Sequence, residues 1–171
     1  DCGSGNYSSW TVYPFFTPCG TRPVPYFENF DTDITVPGLP YCYTSQDLNG
    51  ASHWNSSKQN PYSAPNCMVY NYDTLVAAND WFFTPAIHLN AGSSYKISYL
   101  NKARSATFPE KLEVRYGLAN NAAAMTNLLY ADTNIFSTVY LTSFKNFTPA
   151  ATGDYYFGFH AFSNADRYDL N

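Results

Sequence analysis

Between Asn79 and Tyr99 the chain reads NDWFFTPAIHLNAGSSYKISY. An aromatic run stops at Thr84-Pro85, a short apolar stretch follows, and Gly92 marks a turn. Apolar and polar residues then alternate with period two. Proline cannot donate to a sheet ladder, and period-two alternation places one residue set on a buried face. Such punctuation suits short strands around a buried tryptophan and leaves little room for helices. It holds no residue pattern of a catalytic site.

The remainder of the chain agrees. Sixteen Tyr, thirteen Phe and three Trp make the 171 residues 19% aromatic, against only 13% charged. Rings favour pleated, half-buried surfaces, and Asn, Ser and Thr must then cover the outside. The net charge of −4 and nine scattered basic residues argue against nucleic acid, which needs clustered Lys and Arg. No run approaches the roughly eighteen apolar residues of a membrane span, so no membrane insertion is expected. No signal peptide and no initiator Met open the chain, so Asp1 is expected to be a cut end.

The cysteines are Cys2, Cys19, Cys42 and Cys67. None stands in a metal-binding C-x-x-C spacing, and an even count in such a composition reads as disulfides in an oxidising compartment. Four cysteines allow three pairings. Cys2–Cys19 and Cys42–Cys67 are expected, because each pair brackets one local unit; four buried thiols are the alternative.

Residues 1–20 look distinct, and Thr21-Arg22-Pro23-Val24-Pro25 reads as a stiff linker. Alternation then predicts strands at Pro25–Phe30, Pro40–Thr44, Cys67–Tyr72, Asp80–Thr84, Tyr95–Asn101, Leu112–Gly117, Ile135–Phe147 (broken) and Asp154–Ala161. Tyr95, Ile97 and Tyr99 should share a face, as should Leu112, Val114 and Tyr116, with Glu113 and Arg115 outward. Tyr155, Phe157, Phe159 and Ala161 share another face, His160 lies opposite, and Gly158 suggests a close backbone approach or a bulge. Ala-rich propensity behind an Asn start predicts one short helix over Asn120–Tyr130. Many short strands and one short helix indicate an all-β, two-sheet sandwich. Asn49–Pro65 is a long polar stretch of the kind that is functional or disordered.

Five segments, PYFENFDTD, LPYCYT, NDWFFTPAIHLNAGSSYKISY, EKLEVRYGLANNAAAMTNLL and TGDYYFGFHAFSNAD, occur in this order and resemble the choice-of-anchor J, or cleaved adhesin, domain. That family is a jelly-roll β-sandwich distantly similar to MAM domains, and the resemblance covers roughly residues 24–171. CGSGNYSSWTVYPFFTPCG is similar to the last strands of a fibronectin type III module. The resemblance implies residues 1–20 as the tail of a preceding module and 21–171 as the jelly roll. The family continues into a final strand carrying an acidic pair, so a strand begun at Tyr168-Asp169-Leu170 is expected to be missing its remainder. The resemblance further implies a repeat unit of large secreted or cell-surface bacterial proteins.

Candidate sites follow from both sources. The histidines His53, His88 and His160 sit in unrelated contexts, and no nucleophile, zincin or phosphate-loop motif occurs, so a non-catalytic protein is expected. In MAM-like sandwiches the positions matching Glu28, Asp31, Asn79 and Asp80 approach one another and can hold structural calcium, a hard cation that takes about six to eight oxygens; plain surface carboxylates are the alternative. An exposed ring suits the C–H face of a sugar. Trp54, beside His53 and near Tyr62 in the polar stretch, is the candidate carbohydrate platform, with burial of Trp54 in the sandwich edge as the alternative. Asn6, Asn55 and Asn146 head N-glycosylation triplets that chance explains. Asp73-Thr74-Leu75 fits, at Thr74, the O-glycosylation pattern of bacteria that use the type IX secretion route, which the resemblance implies. The expected function is adhesion, with neighbouring domains or copies and a carbohydrate or host-surface ligand as partners. The alternatives are a filament subunit associating through an apolar N-terminal tab and an unfinished C-terminal edge, or a carbohydrate-binding module of a secreted hydrolase or protease.

Overall fold

The computed structural model describes residues 18–32, 35–165 and 168–171. Its strands, in chain order, are β1 (Thr44–Asp47), β2 (Trp54–Ser57), β3 (Cys67–Tyr70), β4 (Asp80–Phe83), β5 (Ile87–Leu89), β6 (Tyr95–Asn101), β7 (Glu110–Gly117), β8 (Asn127–Ile135), β9 (Leu141–Phe147) and β10 (Gly153–Ala161). One layer runs β1-β4-β10-β7-β8, every neighbour antiparallel, and β5 pairs with the first residues of β10. The Thr84-Pro85 break is the joint between β4 and β5, both of which lie along β10. Thr84 holds that joint: its Oγ1 accepts from the Phe157 N–H at 3.0 Å.

The other layer is made of two ribbons, β2-β3 and β6-β9. The C-terminal residues join them. The Leu170 backbone exchanges two hydrogen bonds with Tyr70, at 2.9 and 3.1 Å. Asn171 exchanges two with Lys102, and the Arg104 N–H donates to the Asp169 carbonyl. Leu170 thus sits between Tyr70 and Ala103 with its side chain fully buried. These three residues fill the gap between the two ribbon edges, which is how the segment expected to begin a further strand is used in this structure. The layers enclose Tyr43, Trp54, Met68, Tyr70, Phe82, Leu112 and Leu170 at one end, and Ile87, Leu89, Val114, Tyr155 and Phe157 at the other.

The face assignments of the sequence hold. Tyr95, Ile97 and Tyr99 pack inward, as do Leu112 and Val114 of β7 and Tyr155, Phe157 and Ala161 of β10. A smaller cluster of Trp81, Phe83 and Met125 lies on the opposite face of the first layer. Trp81 is buried as expected, but Asp80 is buried too, at 1% exposure. The reason is position: β4 is paired on both edges and covered on both faces, so all four of its residues are buried.

The expected helix over Asn120–Tyr130 is a single 3-10 turn, Ala122–Ala124, followed by β8. Asn121 does cap the turn, its Oδ1 accepting from the Ala124 N–H at 3.0 Å. Helix propensity loses to tertiary demand, because Leu129 is needed in the core and Tyr130 pairs with Val114. Pro25–Phe30 is not a strand either. Phe30 has φ 63°, and the Glu28 carboxylate accepts from its N–H, which turns the chain. Two strands were hidden from the pattern, β2 inside the polar stretch and the three-residue β5.

The cysteine pairing is corrected as well. Cys19 bonds Cys42, with Cα atoms 5.5 Å apart, and Cys67 is a buried free thiol. Cys67 points from β3 toward the carbonyls of Ser57 and Gln59, whereas Cys42, at φ 70°, turns the chain just before β1. Cys2 lies outside the described residues, as do the rings of the N-terminal segment. Arg22, expected in a linker, pairs with Ile87 of β5. The bond therefore joins the two units that the sequence pattern divides.

Two outcomes follow from this packing. Leu170→Ala should cost about 2–5 kcal/mol, as a buried leucine at a close-packed junction does, read by urea titration against the parent. Gly117 approaches the 3-10 turn so closely that a Cβ there would stand 1.8 Å from the Ala124 carbonyl oxygen. Gly117→Ala should therefore lower stability by about 3 kcal/mol through overpacking; an unchanged melting temperature would show that the turn is free to move.

Candidate binding groove

Alternation along the second layer divides each strand between the core and an outer face. Trp54 and Ser56 of β2 point inward, and Asn55 and Ser57 outward; across from them Met68 and Tyr70 point inward, Cys67 and Val69 outward. Leu170 and Ala103 continue the inner set, so Asp169, Asn171, Lys102 and Arg104 continue the outer one. The loop after β2 and the segment before β9 rise beside this face. The result is a groove of about 540 Å³ lined by Asn55, Asn71, Lys102, Arg104, Asp169 and Asn171, with Gln59, Asn60 and Thr138 at its walls.

The groove's side chains are held by one another. Lys102 Nζ donates to the Asn60 carbonyl at 3.0 Å and stands 4.5 Å from the centre of the Tyr140 ring. Tyr140 donates its hydroxyl proton to the same carbonyl at 3.1 Å. Tyr62, largely exposed, meets Tyr140 edge-on with ring centres 5.6 Å apart. Arg104 Nη1 bonds Asp169 Oδ2, and Asp169 Oδ1 accepts from the Tyr72 N–H. Burial pulls the Lys102 ammonium below its ordinary pKa and pushes the Tyr140 hydroxyl up. At the base, Asn171 Nδ2 donates to Cys67 Sγ.

The expected carbohydrate residues are not brought together. Trp54 is core: its indole N–H donates to the Asp80 carbonyl at 3.0 Å, and its ring packs on Tyr70 and Phe82. It is an inner position of β2 and cannot be a platform. His53 is exposed, immediately before β2. Tyr62 alone of the three lies beside the groove, through its contact with Tyr140, which meets Lys102. Sequence reasoning missed Lys102, Arg104, Tyr140, Asp169 and Asn171. Two of the nine basic residues placed on alternate positions, just past a strand, were the available signal.

The calcium candidates each bond to near neighbours. Glu28 caps the Phe30 N–H at 2.7 Å, and Asp31 Oδ2 accepts from Asn29 Nδ2 at 2.6 Å. On β4's side, Asn79 Oδ1 lies 3.0 Å from His160 Nε2, and the Asn79 N–H donates to Asp80 Oδ2. Among the described residues no three His, Cys, Asp or Glu side chains gather as a metal ligand set. Thr74 is exposed in a turn closed by Asp73 Oδ1, which accepts from the Leu75 and Val76 N–H groups. Asn55 lies in the groove and Asn146 on β9, exposed; Asn6 is outside the described residues.

Asp80 carries a raised carboxyl pKa. Desolvation, aided by Asp47 directly across the β1–β4 ladder, pushes it up to about 6. A carboxyl raised in the folded state binds its proton there more tightly than in the unfolded chain. Its ionisation therefore erodes stability as pH rises from about 4 to about 6. Asp80→Asn keeps an acceptor for the Asn79 N–H and removes the charge. The variant should match the parent near pH 4 and melt at higher temperature above pH 6; a constant difference across that range would reject the shift.

The layered topology with its crossed-over strand order is that of a jelly-roll sandwich. No family model matches the chain, and no curated protein matches its sequence. Among solved structures the chain is similar to the K1 cleaved adhesin domain of Lys-gingipain from Porphyromonas gingivalis, with TM-score 0.64 and 19% identity over 78% of this chain and 88% of that one. The K3 cleaved adhesin domain of the same protein gives TM-score 0.63 and 16% identity, over 78% and 90%. The CBM22-1 xylan-binding domain of Paenibacillus barcinonensis Xyn10C gives TM-score 0.52 and 10% identity, over 75% and 81%. At these identities the likeness is one of fold.

Proposed function

We propose that this chain is a non-catalytic glycan-binding domain of an extracellular adhesive protein, and that it grips its ligand in the groove of the second layer. The observation that carries this reading is the groove itself. It is a concavity of about 540 Å³ on a sheet face, walled by amides and by Lys102, Arg104 and Asp169, with the Tyr140–Tyr62 pair beside it where Tyr140 meets Lys102 and the Asn60 carbonyl. Amide and hydroxyl groups suit sugar hydroxyls, and an exposed ring suits the C–H face. A ligand site is expected to be concave, with few polar groups placed on rigid elements. The jelly-roll fold shared with cleaved adhesin domains and with a xylan-binding domain supports the reading. The Cys19–Cys42 disulfide suits an oxidising, extracytoplasmic setting. Among the described residues no helix is long and apolar enough to cross a membrane.

Affinity electrophoresis through gels containing a panel of soluble polysaccharides tests it. At least one should retard the parent protein. Asn71→Ala with Tyr62→Ala should weaken retardation about tenfold, the loss expected for a hydrogen bond plus a ring contact. Equal retardation of parent and variant would place binding elsewhere, and none with any glycan would end the proposal.

A further inference from the structure

We infer that the groove takes an anionic glycan, one bearing carboxylate or sulfate groups, with Lys102 and Arg104 meeting its charges. The inference rests on the glycan-binding reading above and deepens it. The chain as a whole is acidic, with thirteen Asp and Glu against nine Lys and Arg. Among its side chains the groove inverts that balance: it holds two cations, Lys102 and Arg104, and one carboxylate, Asp169. Asp169 is committed to Arg104 and to the Tyr72 N–H. Among the described residues no carboxylate pairs with Lys102, whose ammonium has one backbone carbonyl and one ring for company although the residue is only 9% exposed. Holding a nearly buried cation without a counter-charge is costly unless a ligand supplies one. Arg104 uses Nη1 on Asp169 and on Gln59 Oε1 and keeps half its side chain in solvent, so a five-donor guanidinium has further N–H groups to offer an oxyanion.

The spacing favours a polymer over a single small anion. Lys102 and Arg104 occupy alternate positions of one extended segment, so their Cα atoms lie about 7 Å apart on one face. Two cations so placed match charges on neighbouring sugars. Asn55, Asn71 and Asn171 around them offer amides for the hydroxyls that an inorganic anion lacks.

The same gel assay decides it, with polygalacturonate for carboxylate, dextran sulfate for sulfate, and xylan and galactan as neutral chains. Polygalacturonate or dextran sulfate should retard the parent strongly and the neutral chains weakly. Arg104→Gln should weaken the anionic interaction about tenfold, the scale of a charged hydrogen bond, and Lys102→Gln should add to that. If Lys102→Gln fails to fold, Arg104→Gln alone decides, since that side chain is half exposed. Lys96→Gln with Lys145→Gln, on β6 and β9 outside the groove, should change nothing; an equal loss there would show unspecific charge attraction and overturn the inference. Neutral chains bound as tightly as anionic ones and indifferent to Arg104→Gln would overturn it while leaving the glycan-binding reading intact. Retardation by none of the four, with a neutral or anionic hit absent from the wider panel, would remove both.

Discussion

The backbone of Leu170 is the constraint on which the second layer depends. Without its bonds to Tyr70, and those of its neighbours to Lys102 and Arg104, that layer is two separate two-stranded ribbons. An isolated ribbon of this size is marginal in water. Three residues close the gap, and the buried Leu170 side chain adds its apolar area to the core directly beneath the junction. The inner residue of the tripeptide secures the sandwich while the outer two, Asp169 and Asn171, form the floor of the groove. Fold and candidate site therefore share one support.

That arrangement explains why the groove can hold polar groups in fixed positions. Its cations and amides stand on ladders whose registers are set by the core on the opposite face. A slip of one residue in the 169–171 segment would exchange Leu170 for Asp169 in the core, a substitution the interior cannot accept. The Asn60 carbonyl performs a second fastening, since it receives both the Lys102 ammonium and the Tyr140 hydroxyl. The loop after β2 is thereby tied to the segment before β9, and the walls of the groove are set with the floor.

The first layer shows the same economy on its other side. Trp81, Phe83 and Met125 make a small second core beneath a 3-10 turn, and Gly117 and Gly158 let that turn and its methionine approach the sheet. His160 stacks parallel on Trp81 with ring centres 4.2 Å apart and is kept below its ordinary pKa by burial. Glu113, bonded to both His160 and Arg115, is correspondingly held low. These polar groups lie on the face opposite the groove, so their contribution is to the fold.

Much of this was legible in the residues alone. Period-two alternation located β6 to the residue and the inward faces of β7 and β10, because a strand buried on one face writes that face into its sequence. Gly158 was readable as a close approach and Trp81 as buried. Alternation says which residues share a face, but not which face is covered from outside, so it did not reveal that Asp80 would be buried along with Trp81. Propensity chose a helix where an edge strand was required. Cysteine spacing chose partners near in sequence, whereas the bond formed between Cys19 and Cys42, which the turn at Cys42 brings within 5.5 Å. The groove belongs wholly to the tertiary structure. Its residues come from β2, β3, the segment after β6, the approach to β9 and the C-terminus, and only long-range backbone pairing puts them on one face. A one-dimensional pattern records the period of a strand; which strands become neighbours is decided by the core they close together.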